Sequence, residues 1–253
     1  INADQTSVDL SSLTFDASYT PSVDTVIVNS ANSNAGVTII GASASNIITG
    51  SNADDIIKGG DSNDSLNGGT GNDTIEGKLG ADTITGGAGD DEFDFTSGSS
   101  TISQMDKISD YQADVADKHN DKIDNVTGTK GANVASIDVK NSISGGNGSE
   151  SVTAAVNNGV LTLSGSDQGL INTLEEWYNV TKTNGVITKA ADDADATGTI
   201  AFEFSGNTYV VESNDTFDNN TANVSIENII ELTGLTGITA VADAAAANTI
   251  LIA

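Results

Sequence analysis

From Gly41 to Phe95 the chain repeats itself every nine residues, reading GASASNIIT, GSNADDIIK, GGDSNDSLN, GGTGNDTIE, GKLGADTIT and GGAGDDEFD before it breaks off. Each unit opens on glycine, places an acid or its amide sixth (Asn46, Asp55, Asp64, Asp73, Asp82, Asp91) and a large apolar residue eighth (Ile48, Ile57, Leu66, Ile75, Ile84, Phe93). A short period held over six units restricts the stretch to a solenoid, in which units stack on one another instead of folding round a common centre. The eighth residue is flanked by small or polar neighbours, so each unit supplies a strand too short to stand alone, with one side chain to bury. A flexible glycine-rich linker would need no Ile or Leu in register.

The same period carries chemistry. Glycines supply loop conformations that residues with a Cβ resist, and they leave backbone carbonyls facing into the loop. The sixth-position carboxylate adds charged oxygen to those carbonyls, the ligand set a hard cation such as calcium prefers. Stacked acidic loops without a cation would repel one another. The units resemble the repeats-in-toxin (RTX) family, whose consensus is GGxGxDxUx. That resemblance implies a parallel β-roll with two units per turn and calcium held between loops two units apart. Asp55, Asp73 and Asp91 would then line one edge and Asn46, Asp64 and Asp82 the other. The opening glycines Gly59, Gly68, Gly77 and Gly86 would add carbonyls, for about four ions in all. The sequence departs from the family pattern at Asn46, which lacks the charge, at Lys78, which replaces a glycine, and at the fourth position of the first two units, which is alanine. The outermost site on the Asn46 edge departs furthest.

Charge points the same way. Against 36 Asp and Glu stand nine Lys and Arg, a net charge of -27, which excludes nucleic acid as a partner and leaves calcium as the counter-charge. The chain has no cysteine, so disulfides, thiolate metal sites and thiol nucleophiles are excluded. No charged region followed by an apolar run opens the chain, and no segment is apolar enough to span a membrane. The start at Ile1, without methionine, leads us to expect further sequence upstream.

Around the repeats the chain reads as β-rich. Residues 1–40 alternate apolar and polar through Val8, Leu10, Val26, Val28, Val37 and Ile39, which predicts short strands continuing the solenoid without metal. The repeats would form a second region, 41–95, and residues 96–253 a β-rich cap. After Phe95, Asp106-Lys107-Ile108-Ser109-Asp110-Tyr111 and Asn120-Asp121-Lys122-Ile123-Asp124 resemble the closing signature of secreted RTX proteins, with Tyr111 where phenylalanine is usual. That resemblance makes Asp110 and Asp121 candidate calcium ligands. Strands are expected over 134–165. One helix follows, with Asp167 as its cap, Leu170, Ile171, Leu174, Trp177, Tyr178 and Thr181 on one face and Asn184-Gly185 at its end. A hairpin turning at Ser205-Gly206-Asn207 comes next, then an acidic loop in which Glu212, Asn214, Asp215 and Asp218 form a further candidate cation site. The hydrophobic end resembles a type I secretion signal.

The only histidine, His119, sits in a polar stretch, and neither HExxH nor GxSxG occurs, so no catalytic residue is assigned. The expected fold is all-β: a parallel β-roll solenoid with β-rich leading turns and a β-rich cap holding one helix. The expected function is the calcium-dependent folding, assembly and type I export region of a bacterial surface-layer protein, secreted and self-associating at the cell surface. The alternatives are the calcium-binding secretion domain of a secreted hydrolase or toxin, or an adhesin. The adhesin would need an aromatic-lined pocket from a chain with 4% aromatic residues.

Overall fold

The computed structural model of the chain describes residues 6–12, 25–96, 99–112, 121–124, 129–130, 134–138, 153–157, 160–164, 166, 168, 171–181, 198–213, 226–243 and 249–252. His119, Asp167, Leu170, Asn184-Gly185, Asn214, Asp215 and Asp218 lie outside them.

Nine short strands run through the leader and the repeats: β1 (Ser7–Asp9), β2 (Val26–Asn29), β3 (Thr38–Ile40), β4 (Asn46–Thr49), β5 (Ile56–Gly60), β6 (Ser65–Thr70), β7 (Thr74–Lys78), β8 (Thr83–Ala88) and β9 (Glu92–Asp94). Odd strands pair only with odd and even with even, always parallel, so two facing sheets grow together, one strand each per turn, and from β3 and β4 onward each turn takes 18 residues. This is a parallel β-roll. The register places Ile39, Ile57, Ile75 and Phe93 in one column and Val28, Ile48, Leu66 and Ile84 in the other. All eight are buried and belong to a single core. Each such side chain contributes about 1.5–3 kcal/mol, and since none can be buried without its neighbours, the roll gains stability only as a stack.

The columns do not stop where the period stops. β10 (Asp106–Ile108) pairs parallel with β8, and β11 (Lys122–Asp124) pairs parallel with β9, so Ile108 and Ile123 extend the two apolar columns. The rest of the chain covers this end through β12 (Thr129–Lys130), β13 (Val134–Asp138), β14 (Thr153–Asn157), β15 (Val160–Ser164), α1 (Leu174–Thr181), β16 (Gly198–Phe204), β17 (Asn207–Ser213), β18 (Ile226–Leu232), β19 (Val241–Asp243) and β20 (Thr249–Ile252). β18 lies parallel on β10 and sets Leu232 against Ile108, while β20 lies antiparallel on β11. The cap therefore continues both sheets. β16 and β17 form the expected hairpin, with Ser205 and Gly206 at φ 53 and 84°, the left-handed pair that a two-residue turn between twisted strands requires.

The helix is shorter than its apolar pattern suggests. It starts at Leu174 with Thr173 as the cap: the Glu176 N–H donates to Thr173 Oγ1 at 3.2 Å, and the Glu176 carboxylate accepts the Thr173 N–H at 3.1 Å. This reciprocal pair is a capping box, which outcompetes a start further upstream. Trp177 stacks on Phe202 with ring centroids 5.0 Å apart, anchoring the helix to a second core around β14–β18.

Candidate metal centre

The roll's two edges are where loops join one sheet to the other, and there the sixth-position residues stack. Asp55 Oδ1 accepts the Val37 N–H at 2.7 Å, Asp73 Oδ1 that of Asp55 at 2.8 Å, and Asp91 Oδ1 that of Asp73 at 2.9 Å. On the other edge Asp64 Oδ1 takes the Asn46 N–H at 2.7 Å and Asp82 Oδ1 the Asp64 N–H at 2.8 Å. Every side chain in these two ladders is buried. An Asp carboxylate is short enough to reach exactly one turn back along the stack, while the parallel register fixes that turn at 18 residues.

Both ladders continue past the repeats. Asp106 Oδ1 accepts the Asp82 N–H at 2.8 Å across 24 residues, and Asp121 Oδ1 accepts the Asp91 N–H at 3.1 Å across 30. Asp121, a candidate ligand from the sequence, stands in the ladder, with its second oxygen taking the Gln112 N–H at 2.7 Å. Asp106 was not singled out, because counting by nine misses it. The signal was present nonetheless: Asp106-Lys107-Ile108 and Asp121-Lys122-Ile123 repeat the sixth-to-eighth pattern of Asp73-Thr74-Ile75. Asp110 stands beside the ladder, its two oxygens accepting the N–H groups of Gly86 and Gly87 at 2.9 and 2.8 Å. Glu212, expected in the acidic loop, instead lies in β17, where it is buried and accepts from Asn228 Nδ2 at 2.8 Å.

The fifth positions, which sequence reasoning passed over, hold the stack from outside. Asp54 Oδ1 accepts the Asn72 N–H, Asn63 Oδ1 that of Ala81 and Asn72 Oδ1 that of Asp90, at 2.8–3.0 Å. These bonds run one turn forward where the sixth-position bonds run one turn back.

The fit to a cation rests on what the second carboxylate oxygens lack. Oδ2 of Asp64, Asp73, Asp82 and Asp106 is buried without any hydrogen-bond donor, a costly condition for a charged oxygen. Each lies against the opening glycine of its own unit where it is in a repeat: a Cβ on Gly59 would collide with Asp64 Oδ2 and come 2.6 Å from Gly77 O, and one on Gly68 would collide with Asp73 Oδ2 and come 2.6 Å from Gly86 O. A carboxylate oxygen and a carbonyl oxygen from the next turn thus converge on a space only glycine leaves open. Positions two and four of the later units supply the left-handed turns, with Gly69, Gly71, Gly80, Gly87 and Gly89 at φ between 107 and 146° and Lys78 at 73°. Lys78 adopts the glycine conformation despite its Cβ, so the departure noted in the sequence leaves the loop's path intact.

Burial pushes these carboxyls upward. Asp64 and Asp121 rise to about 6, Asp73 and Asp82 to about 7 and Asp106 to about 8, in each case chiefly through loss of water, with repulsion added by Asp61 at Asp64 and by ladder carboxylates at the others. No cluster of three His, Cys, Asp or Glu side chains forms among the described residues. The oxygens available are one or two carboxylates per loop together with backbone carbonyls, the donor set of a hard divalent cation and not of zinc or copper. The Asp and Gly positions named here would hold the ion, and the ion would supply the positive charge the buried oxygens lack.

Residues 40–75 and 67–102 match the model of the RTX calcium-binding nonapeptide repeat (4 copies). Over that stretch the chain is similar to calcium-binding RTX repeats, and the stretch coincides with the parallel roll. The comparison with curated proteins gives no match.

Proposed function

We propose that the chain is the calcium-dependent folding and export region of a bacterial surface-layer protein, a structural part with no catalytic residues of its own. The observation that carries the reading is the row of buried, donor-less carboxylate oxygens one turn apart. Extracellular calcium modules bind at about 10⁻⁴–10⁻³ M, so the roll stays open where calcium is scarce and closes where it is abundant, coupling passage through a type I machinery to folding outside. Two features support a structural role at the surface. The leader strands β1–β3 stack on the roll in one register, giving a continuous solenoid, and Ile27 and Ile47 lie side by side on its outer face, 69% and 43% exposed. No described helix is long and apolar enough to cross a membrane.

Adding a few millimolar calcium to purified monomer and examining it by electron microscopy tests the reading. Ordered sheets are expected. A folded, calcium-loaded monomer that never assembles would instead favour the secretion domain of a hydrolase or toxin.

A further inference from the structure

We infer that Asn46 and Ser51 stand in for the cation in the first two loops, so that the calcium columns begin at Asp64 and Asp73. The inference rests on the calcium reading above and deepens it.

Asn46 occupies the first rung of its ladder, 1% exposed. Its Nδ2 donates to Ala42 O at 3.1 Å, Ala44 O at 2.5 Å and Asp64 Oδ1 at 2.9 Å. Two loop carbonyls and a carboxylate of the next turn are the oxygens a hard cation would collect in that loop. Here the positive pole of an amide collects them, while the amide oxygen takes the Ala42 N–H at 3.1 Å. Asn46 is thus an internal substitute for an ion and its ligand at once.

The second loop reaches the same end differently. Ser51 N–H donates to Asp55 Oδ2 at 2.5 Å and Ser51 Oγ to Asp55 Oδ1 at 2.7 Å, while Ser51 Oγ accepts the Ala53 N–H at 3.2 Å. Together with the Val37 N–H, both Asp55 oxygens are supplied with donors. Oδ2 of Asp64, Asp73 and Asp82, in the same position of later units, has none. The first two units carry Ala42, Ala44, Ser51 and Ala53 at the positions where the fourth to sixth carry left-handed residues. In both of these units the second-position N–H meets the sixth side chain directly. The four residues that depart from the glycine pattern are therefore a device: they make two metal-free turns that offer a finished edge on which calcium-dependent turns stack.

The full chain tests this in two ways. Amide hydrogen exchange on the unaltered protein should find the N–H groups of Ala42 and Ser51, held within their own loops by Asn46 and Asp55, protected without calcium, whereas those of Asp73 and Asp82 gain about tenfold or more protection only when calcium chloride is added. Counting bound calcium by native mass spectrometry should give one more ion for Asn46→Asp than for the unaltered chain, since the variant loses the amide donors and keeps the oxygens. The inference is overturned if the N–H groups of Ala42 and Ser51 exchange freely until calcium arrives, in step with Asp73. It is overturned equally if Asn46→Asp matches the unaltered protein in calcium-loaded circular dichroism yet binds no extra ion. Should Asn46→Asp not fold, the exchange data on the unaltered chain decide. Absence of any bound calcium or any calcium-induced protection would instead defeat the calcium reading itself.

Discussion

Asp106→Asn separates what a buried carboxylate costs from what it does. In the calcium-free roll burial holds the Asp106 carboxyl at about 8, against an ordinary 3.8. At pH 7 folding must therefore place a proton on it, at about 4 kcal/mol. An amide removes that requirement and retains an oxygen for the Asp82 N–H, but buries an NH₂ with no acceptor assured, at about 1–3 kcal/mol. Without calcium at pH 7 the variant should shift toward the rolled form by about 1–3 kcal/mol relative to the unaltered protein, read as β-signal gained in calcium-free circular dichroism. In calcium the order reverses, because the charge that paired with the ion is gone; the calcium midpoint should rise about tenfold, equivalent to about 1.4 kcal/mol. No gain of calcium-free β-signal together with an unchanged midpoint would refute the reasoning and reduce Asp106 to a hydrogen-bonding strut.

Further expectations concern pH and two local structures. The raised carboxyls of Asp64, Asp73, Asp82, Asp106 and Asp121 bind protons more tightly folded than unfolded, so the calcium-free roll should lose stability as pH rises from about 4 to about 8 while calcium binding strengthens over the same range; thermal melts at pH 5 and pH 8 check the sign. Gly68→Ala drives a methyl into the Asp73 carboxylate and toward Gly86 O and should abolish calcium-induced folding in circular dichroism, whereas Gly234→Ala, with φ 76° but open space around it, should cost only about 1 kcal/mol. Tyr111→Phe removes the hydroxyl that donates to Asp121 O at 2.8 Å and accepts the Ile252 N–H at 3.2 Å, and should cost about 1–3 kcal/mol in urea unfolding without changing the number of bound ions.

The roll itself was legible because one period carries everything it needs: the eighth residues fill the two columns and the sixth residues the two ladders. The end of the ladders was harder to read. Insertions stretch the rungs from 18 residues to 24 at Asp106 and 30 at Asp121, and a count by nine cannot follow them, although the Asp-x-Ile pattern does. Asp91 is consequently an inner rung, flanked by Asp73 and Asp121, and not the end that the repeats alone imply. Tyr111 in place of phenylalanine is explained by its two hydrogen bonds to Asp121 and Ile252, a link between segments 141 residues apart that no local pattern announces. The helix start went astray because Asp167 and Thr173 are equally plausible caps by residue type, and only Thr173 has a glutamate three residues on. The role of the first two loops was hidden for a different reason: alanine, serine and asparagine in a glycine-aspartate pattern look like decay until their hydrogen bonds are seen.

The central claim is that at neutral pH the buried carboxylate columns require calcium to form the roll. Far-ultraviolet circular dichroism of the full chain, followed through calcium addition and then a chelator, tests it most directly. The account predicts that β-signal rises over the calcium titration, falls back on chelation, and is poorly restored by magnesium, which holds its water and demands tighter octahedral geometry. A spectrum unchanged by calcium and by the chelator would contradict it.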